Sequence, residues 1–153
     1  MPTVAAQRTC DPALGGTSGG GLVSFTVGTD LCAVEDVEAS ILRFGEKYLR
    51  RVYTPREIAE CERRAEPGPA FAGRFAAKEA VFKSLRSSDP IADWKAIEIE
   101  RTPGGWCEVR LAGAMQELAR QRNVSHLSLS ISHERQYAHA IAIATISAGP
   151  QTP

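Results

Sequence analysis

No stretch of this sequence is long and apolar enough to span a bilayer, and its opening, MPTVAAQRTC, lacks the basic start and apolar run of an export signal. That argues against a membrane or secreted protein, and the expectation is a cytoplasmic one. Cysteine is sparse. Cys10, Cys32, Cys61 and Cys107 are scattered without CxxC spacing, which argues against a cysteine-built zinc or dithiol site and points to reduced, unpaired thiols. Neither charge sign is in excess, with 18 Lys and Arg against 18 Asp and Glu. A chain built chiefly to hold nucleic acid would carry a surplus of base. No segment repeats. What is present, 43% hydrophobic and 24% charged residues in a chain of 153, is one soluble globular domain's worth.

The two ends differ from the middle in composition. Residues 1–21 close on Gly-Gly-Thr-Ser-Gly-Gly-Gly, which sustains neither helix nor strand, and read as a flexible leader. Residues 148–153 read as a disordered tail, leaving 22–147 as the folded domain. Leu22 to Leu31 is a strand candidate ending near Asp30, which would lie beside buried surface if the strand's apolar residues face the core. So placed, Asp30 either ligates a hard metal or caps the next turn. Val37 to Val52 has helix-like apolar spacing interrupted at Gly45, and it is basic through Arg43, Lys47, Arg50 and Arg51. That basic run is either a solvated face or a docking surface for an acidic protein. Thr54, Pro55 and Glu57 form a capping box that opens a helix to about Arg64, where Pro67-Gly68-Pro69 ends it.

Further on, Ser87-Ser88-Asp89-Pro90 reads as a loop, and Ala96 to Arg101 and Cys107 to Leu111 alternate as two strands of a hairpin turned at Thr102-Pro103-Gly104-Gly105. Gly113 to Arg122 is helical, stopping near Asn123. His126 to Ser132 alternates apolar residues with a serine face, and Tyr137 to Ile146 sets alanines against Tyr137, His139, Ile141 and Ile143, as a strand covered on both sides would.

The stretch Gly73 to Leu85, GRFAAKEAVFKSL, carries the most chemistry. As a helix it gathers Phe71, Phe75 and Phe82 in one core-facing stripe, with Lys78 inside the stripe and Glu79 at its edge. Glu79 and Lys83 lie one turn apart on the same side. A Lys among aromatics needs a charge partner or a route to solvent or an anion.

This helix, the Val27-Gly28-Thr29-Asp30-Leu31 strand and the Ser130-Ile131-Ser132-His133 run together resemble the holo-acyl-carrier-protein synthase family of phosphopantetheinyl transferases, over roughly Val23 to Ala144. The resemblance implies an α+β fold, an antiparallel sheet packed on a long central helix with shorter helices. It also implies Mg2+-dependent transfer of the phosphopantetheine arm of coenzyme A to a serine of an acyl carrier protein. Carried over residue by residue, Asp30 and Glu79 are the magnesium ligands, Lys83 contacts the phosphates and His133 donates to a phosphate oxygen beside Ser132. Arg74 and Lys78 are further candidates for phosphate or nucleotide contact, or they hold the helix to its neighbours. A homotrimer with sites between subunits is also implied. The run after Asp30 departs from the pattern: Glu35 matches, but Ala33 and Asp36 stand at altered places, and Asp36 reverses a charge at the expected carrier contact. Docking is then expected to rest on Arg43, Lys47, Arg50 and Arg51, or the acceptor to be a carrier of polyketide rather than fatty acid synthase type. The competing reading is a non-catalytic module of the same fold that binds coenzyme A or a carrier protein.

Overall fold

A computed structural model of the chain describes residues 24–87 and 93–147. The expected leader, the tail, Leu22, Val23 and residues 88–90 of the expected loop lie outside the described residues. Five strands form one antiparallel sheet in the order β1-β5-β4-β3-β2: β1 Ser24–Ala33, β2 Ile97–Arg101, β3 Cys107–Leu111, β4 Val124–Glu134 and β5 Tyr137–Ile146. The helices are α1 Val34–Phe44, α2 Glu46–Val52, α3 Pro55–Glu62, α4 Pro67–Ser84 and α5 Gly113–Gln121. This is the expected α+β arrangement, with α4 lying across one face of the sheet.

Local chemistry explains most element boundaries. Gly45, at φ 55°, breaks α1 from α2 where the interruption was read, because this backbone conformation strains residues that carry a Cβ. Thr54 and Glu57 cap α3 reciprocally. Asn123, at φ 53°, follows the end of α5. The Pro67-Gly68-Pro69 run opens α4, whereas it was read only as the end of α3. Both prolines fall in the first turn, where N–H groups have no intrahelical acceptor and a proline therefore costs nothing.

Small residues set how the layers meet. Ala72, Ala76, Ala77 and Ala80 of α4 face Ala138, Ala140, Ala142 and Ala144 of β5, and none keeps any exposed surface. Gly28 continues the contact on β1: a Cβ there would lie 2.0 Å from the Ala80 carbonyl oxygen and 2.5 Å from the Ser84 nitrogen. The helix backbone thus approaches the sheet closely, and the reading of β1 must be corrected. Its apolar residues do not face the core. Gly28, Asp30 and Cys32 turn toward α4, while Phe25, Val27 and Leu31 point outward, Phe25 keeping 65% of its surface. On β5 likewise only the alanine side is covered, and Tyr137, Ile141 and Ile143 stay exposed.

Candidate functional site

Asp30 stands on the helix-facing side of β1, in register with Ala140. Since Ala140 fills little space, the carboxylate reaches α4, where Lys83 Nζ donates to Asp30 Oδ1 at 2.8 Å and to the Thr29 carbonyl at 3.1 Å. Glu79 lies one turn earlier on the same side of α4. Burial, and next the charge of Asp30, push the Glu79 carboxyl above its ordinary value, with Lys83 opposing. The three residues read as the site are therefore together. Asp30 and Glu79 open onto a cavity of about 590 Å³ whose walls include Cys32, Asp36, Tyr48, Arg51, Phe75 and Trp94, and Lys83 adjoins it through Asp30. Burial and the nearby acids hold the Cys32 thiol up at about 11, so it is neutral and serves as wall.

The donor set fits magnesium. Two hard carboxylates from adjacent elements repel one another, and a divalent cation relieves that repulsion. Among the described residues no three His, Cys, Asp or Glu side chains form a closed metal cage. Magnesium needs none, since it keeps several waters and takes one or two carboxylates plus phosphate oxygens.

The remaining expected residues lie elsewhere. His133 is on the same face as Asp30 but two strands away on β4, opposite Ala138, about 10 Å from Asp30 by strand spacing alone. Ser132 alternates onto the outer face with Ser128 and Ser130. Arg74 donates to Glu60 Oε2 at 2.6 Å and is largely buried, with its Nε lacking a partner. Lys78 has no exposed surface and meets Glu57 Oε2 at 2.8 Å, inside the protein. For Arg74 and Lys78 the second alternative therefore applies, and both tie α4 to its neighbours. Burial pushes the Lys78 ammonium below its ordinary value, and the Glu57 carboxylate opposes this. Sequence reasoning missed Trp94 as a wall and Glu57 as a buried counter-charge. A lysine inside an aromatic stripe was a signal that some carboxylate had to be buried with it.

Comparison with known proteins agrees with this geometry. The family model described as the 4'-phosphopantetheinyl transferase superfamily matches residues 26–142. The holo-[acyl-carrier-protein] synthase of Moorella thermoacetica is 41% identical over 116 residues, spanning 76% of this chain and 90% of that protein. Among solved structures, the Neisseria meningitidis holo-[acyl-carrier-protein] synthase superposes with a TM-score of 0.71 at 28% identity, covering 78% of this chain and 96% of that one. The Helicobacter pylori enzyme, crystallised in complex with coenzyme A, gives 0.65 at 30% identity, covering 77% and 98%.

Proposed function

Because the chain belongs to the 4'-phosphopantetheinyl transferase superfamily and is an enzyme of the holo-[acyl-carrier-protein] synthase family, we propose that it moves the phosphopantetheine arm of coenzyme A onto a serine of an apo acyl carrier protein in the cytoplasm. The serine oxygen attacks the phosphorus that bears pantetheine, a new phosphoester bond forms, and the diphosphate bridge breaks to release adenosine 3′,5′-bisphosphate. The serine proton passes to a base in the cleft. Phosphoryl transfer asks mainly for alignment and charge compensation. The observation that carries this reading is the meeting of Asp30 and Glu79 at one opening, with Lys83 bonded to Asp30 beside them.

Asp30 and Glu79 would hold the magnesium ion, which when bound neutralises and orients the diphosphate. Lys83 brings a compact positive charge to the same phosphates and to the departing bisphosphate. The coenzyme A complex of the Helicobacter pylori relative supports coenzyme A as donor. His133 and Ser132, which cannot reach Asp30 within one chain, are read as serving a site shared between subunits. The exposed row of Phe25, Val27, Leu31, Ile141 and Ile143 supports a homotrimer, since an apolar face of this kind marks an interaction surface. For the carrier protein, Arg43, Lys47 and Arg51 form no ion pair among the described residues, whereas Arg50 is engaged by Glu46 at 2.7 Å. Arg51 also lines the cleft, so a basic approach leads directly to the site.

The test is mass spectrometry of an apo carrier protein incubated with the enzyme, coenzyme A and magnesium. The expected result is the mass gain of one phosphopantetheine group. Coenzyme A binding without that gain, on fatty acid and polyketide carriers alike, would leave the non-catalytic reading instead.

A further inference from the structure

Lys78 precedes Glu79 in the sequence yet points the other way, into the interior. Its three N–H bonds are all used: on Glu57 Oε2 at 2.8 Å, the Trp94 carbonyl at 2.8 Å and the Ile97 carbonyl at 2.5 Å. Glu57 in turn accepts from the Ile99 N–H through Oε1 at 3.0 Å and from the Thr54 N–H through Oε2 at 2.8 Å. One ion pair therefore joins α4, the start of α3, β2 and the 3₁₀ turn Trp94–Ala96. A buried pair is weak grounds for stability, because apolar residues of like volume often do as well. It does fix position. What it fixes is Trp94, whose ring lies 5.7 Å from that of Phe75 and 5.8 Å from that of Phe82, and which lines the cleft with Glu79.

We propose that Lys78 is a positioning residue: by clamping the main chain of Trp94 and Ile97 to α4, it sets how far the Trp94 indole stands from Glu79 and so how wide the cleft is for the incoming carrier segment. The inference rests on the transfer reading above. Trp94 and Phe75 present ring surface rather than charge to the cleft. The other wall, Tyr48 and Arg51, belongs to α2, the helix assigned to the carrier protein. Moving a binding wall changes KM, whereas moving the groups at the diphosphate changes kcat.

The experiment uses the full chain carrying Trp106→Phe, which leaves Trp94 as the sole tryptophan. In that parent, Glu57→Gln with Lys78→Met removes both charges together, avoiding an unpaired buried carboxylate. The double variant is expected to keep its unfolding midpoint within a few degrees of the parent, while acrylamide quenching of Trp94 at least doubles. The carrier KM should rise roughly tenfold, the scale of a lost apolar contact, with kcat and the coenzyme A KM within twofold. A companion variant, Trp94→Leu, keeps the clamp and removes the wall, and it should raise the carrier KM alike, whether or not the double variant folds. Unchanged quenching and carrier KM in a folded double variant would overturn the proposal, as would an unchanged carrier KM in Trp94→Leu. If the parent transfers nothing, the transfer reading fails instead, and the quenching comparison still decides whether the clamp exists.

Discussion

Replacing Gly28 by alanine should disable the site without touching any of its chemical groups. The added Cβ would meet three main-chain atoms: the Ala80 oxygen at 2.0 Å, the Ser84 nitrogen at 2.5 Å and the Ala80 carbon at 3.0 Å. None can rotate away as a side chain could. To restore ordinary contact near 3.4 Å the Ala80 oxygen and the strand must part by about 1.4 Å. α4 is held on its far side, with Lys78 clamped to Glu57 and the Phe71 carbonyl accepting from the Tyr53 hydroxyl at 3.1 Å. β1, an edge strand that pairs in the sheet only with β5 among the described residues, is the element that gives. Overpacking of this kind costs about 1–3 kcal/mol. For a domain of this size that lowers the unfolding midpoint by roughly 3–12 °C.

The strand that moves carries Asp30 two residues on, along the same face. A displacement of about 1 Å separates the two carboxylates beyond what magnesium's tight octahedral shell tolerates. Such misplacement is worth about a hundredfold in rate. Gly28→Ala is therefore expected to fold, to unfold several degrees early and to lose about two orders of magnitude in kcat/KM, read by thermal unfolding and by carrier modification. Gly45→Ala is the control. Nothing lies within 4 Å of its Cβ, but φ is 55°, so it costs about 1–3 kcal/mol and leaves turnover alone. A Gly28→Ala enzyme within a degree and within twofold of wild type would refute the close-approach argument.

Two other outcomes follow from the electrostatics. With its value raised above the ordinary 4.5, Glu79 binds a proton in the folded metal-free chain that the unfolded chain has already lost, so that chain loses stability as pH rises through the Glu79 value. Magnesium competes with that proton, so the rise in unfolding midpoint on adding magnesium should grow as pH is raised above 4.5 through the Glu79 value. A pH-independent rise, or the same rise in Glu79→Gln, would contradict it. On the carrier side, Lys47→Glu and Arg51→Glu should raise the carrier KM and flatten its salt dependence, while Asp36→Arg should lower that KM or change which carrier type is preferred. Unchanged KM, salt dependence and preference across these variants would count against docking on α1 and α2.

The elements were legible in the sequence where local chemistry decides them: the break at Gly45, the capping box at Thr54 and Glu57, and the strand Tyr137–Ile146 with its alanine side. Which side of a strand faces inward was not. In β1 the bulky residues Phe25, Val27 and Leu31 read as core, but the partner helix presents alanines and close backbone, and only Gly28, Asp30 and Cys32 fit beneath it. Alternation gives a period, whereas the inward side depends on the size of what lies opposite. The site followed the same rule. Spacing put Glu79 and Lys83 on one helix face, whereas Asp30, on the facing strand, was joined to them only by the family resemblance. Lys78 needed a partner 21 positions earlier, Glu57, which local reading had already used as a cap.

These two errors have one physical root, and it bears on how the enzyme works. Close packing of α4 on β1, made possible by alanine and glycine, brings two carboxylates together that would separate in a looser structure. Their repulsion is offset in the metal-free chain by Lys83 on Asp30 and by the packing itself. On the other side of the same helix, Lys78 and Glu57 are buried as a compensated pair, leaving no net charge in the interior. Adjacent residues of α4 thus meet opposite demands: the Lys78 charge is met inside the fold by Glu57, whereas burial and the Asp30 charge oppose an ionised Glu79 and only Lys83 favours it. On the transfer reading a divalent cation would relieve that repulsion and a diphosphate would meet the cation's charge, so the carboxylates are arranged before either arrives and need no reorganisation during transfer.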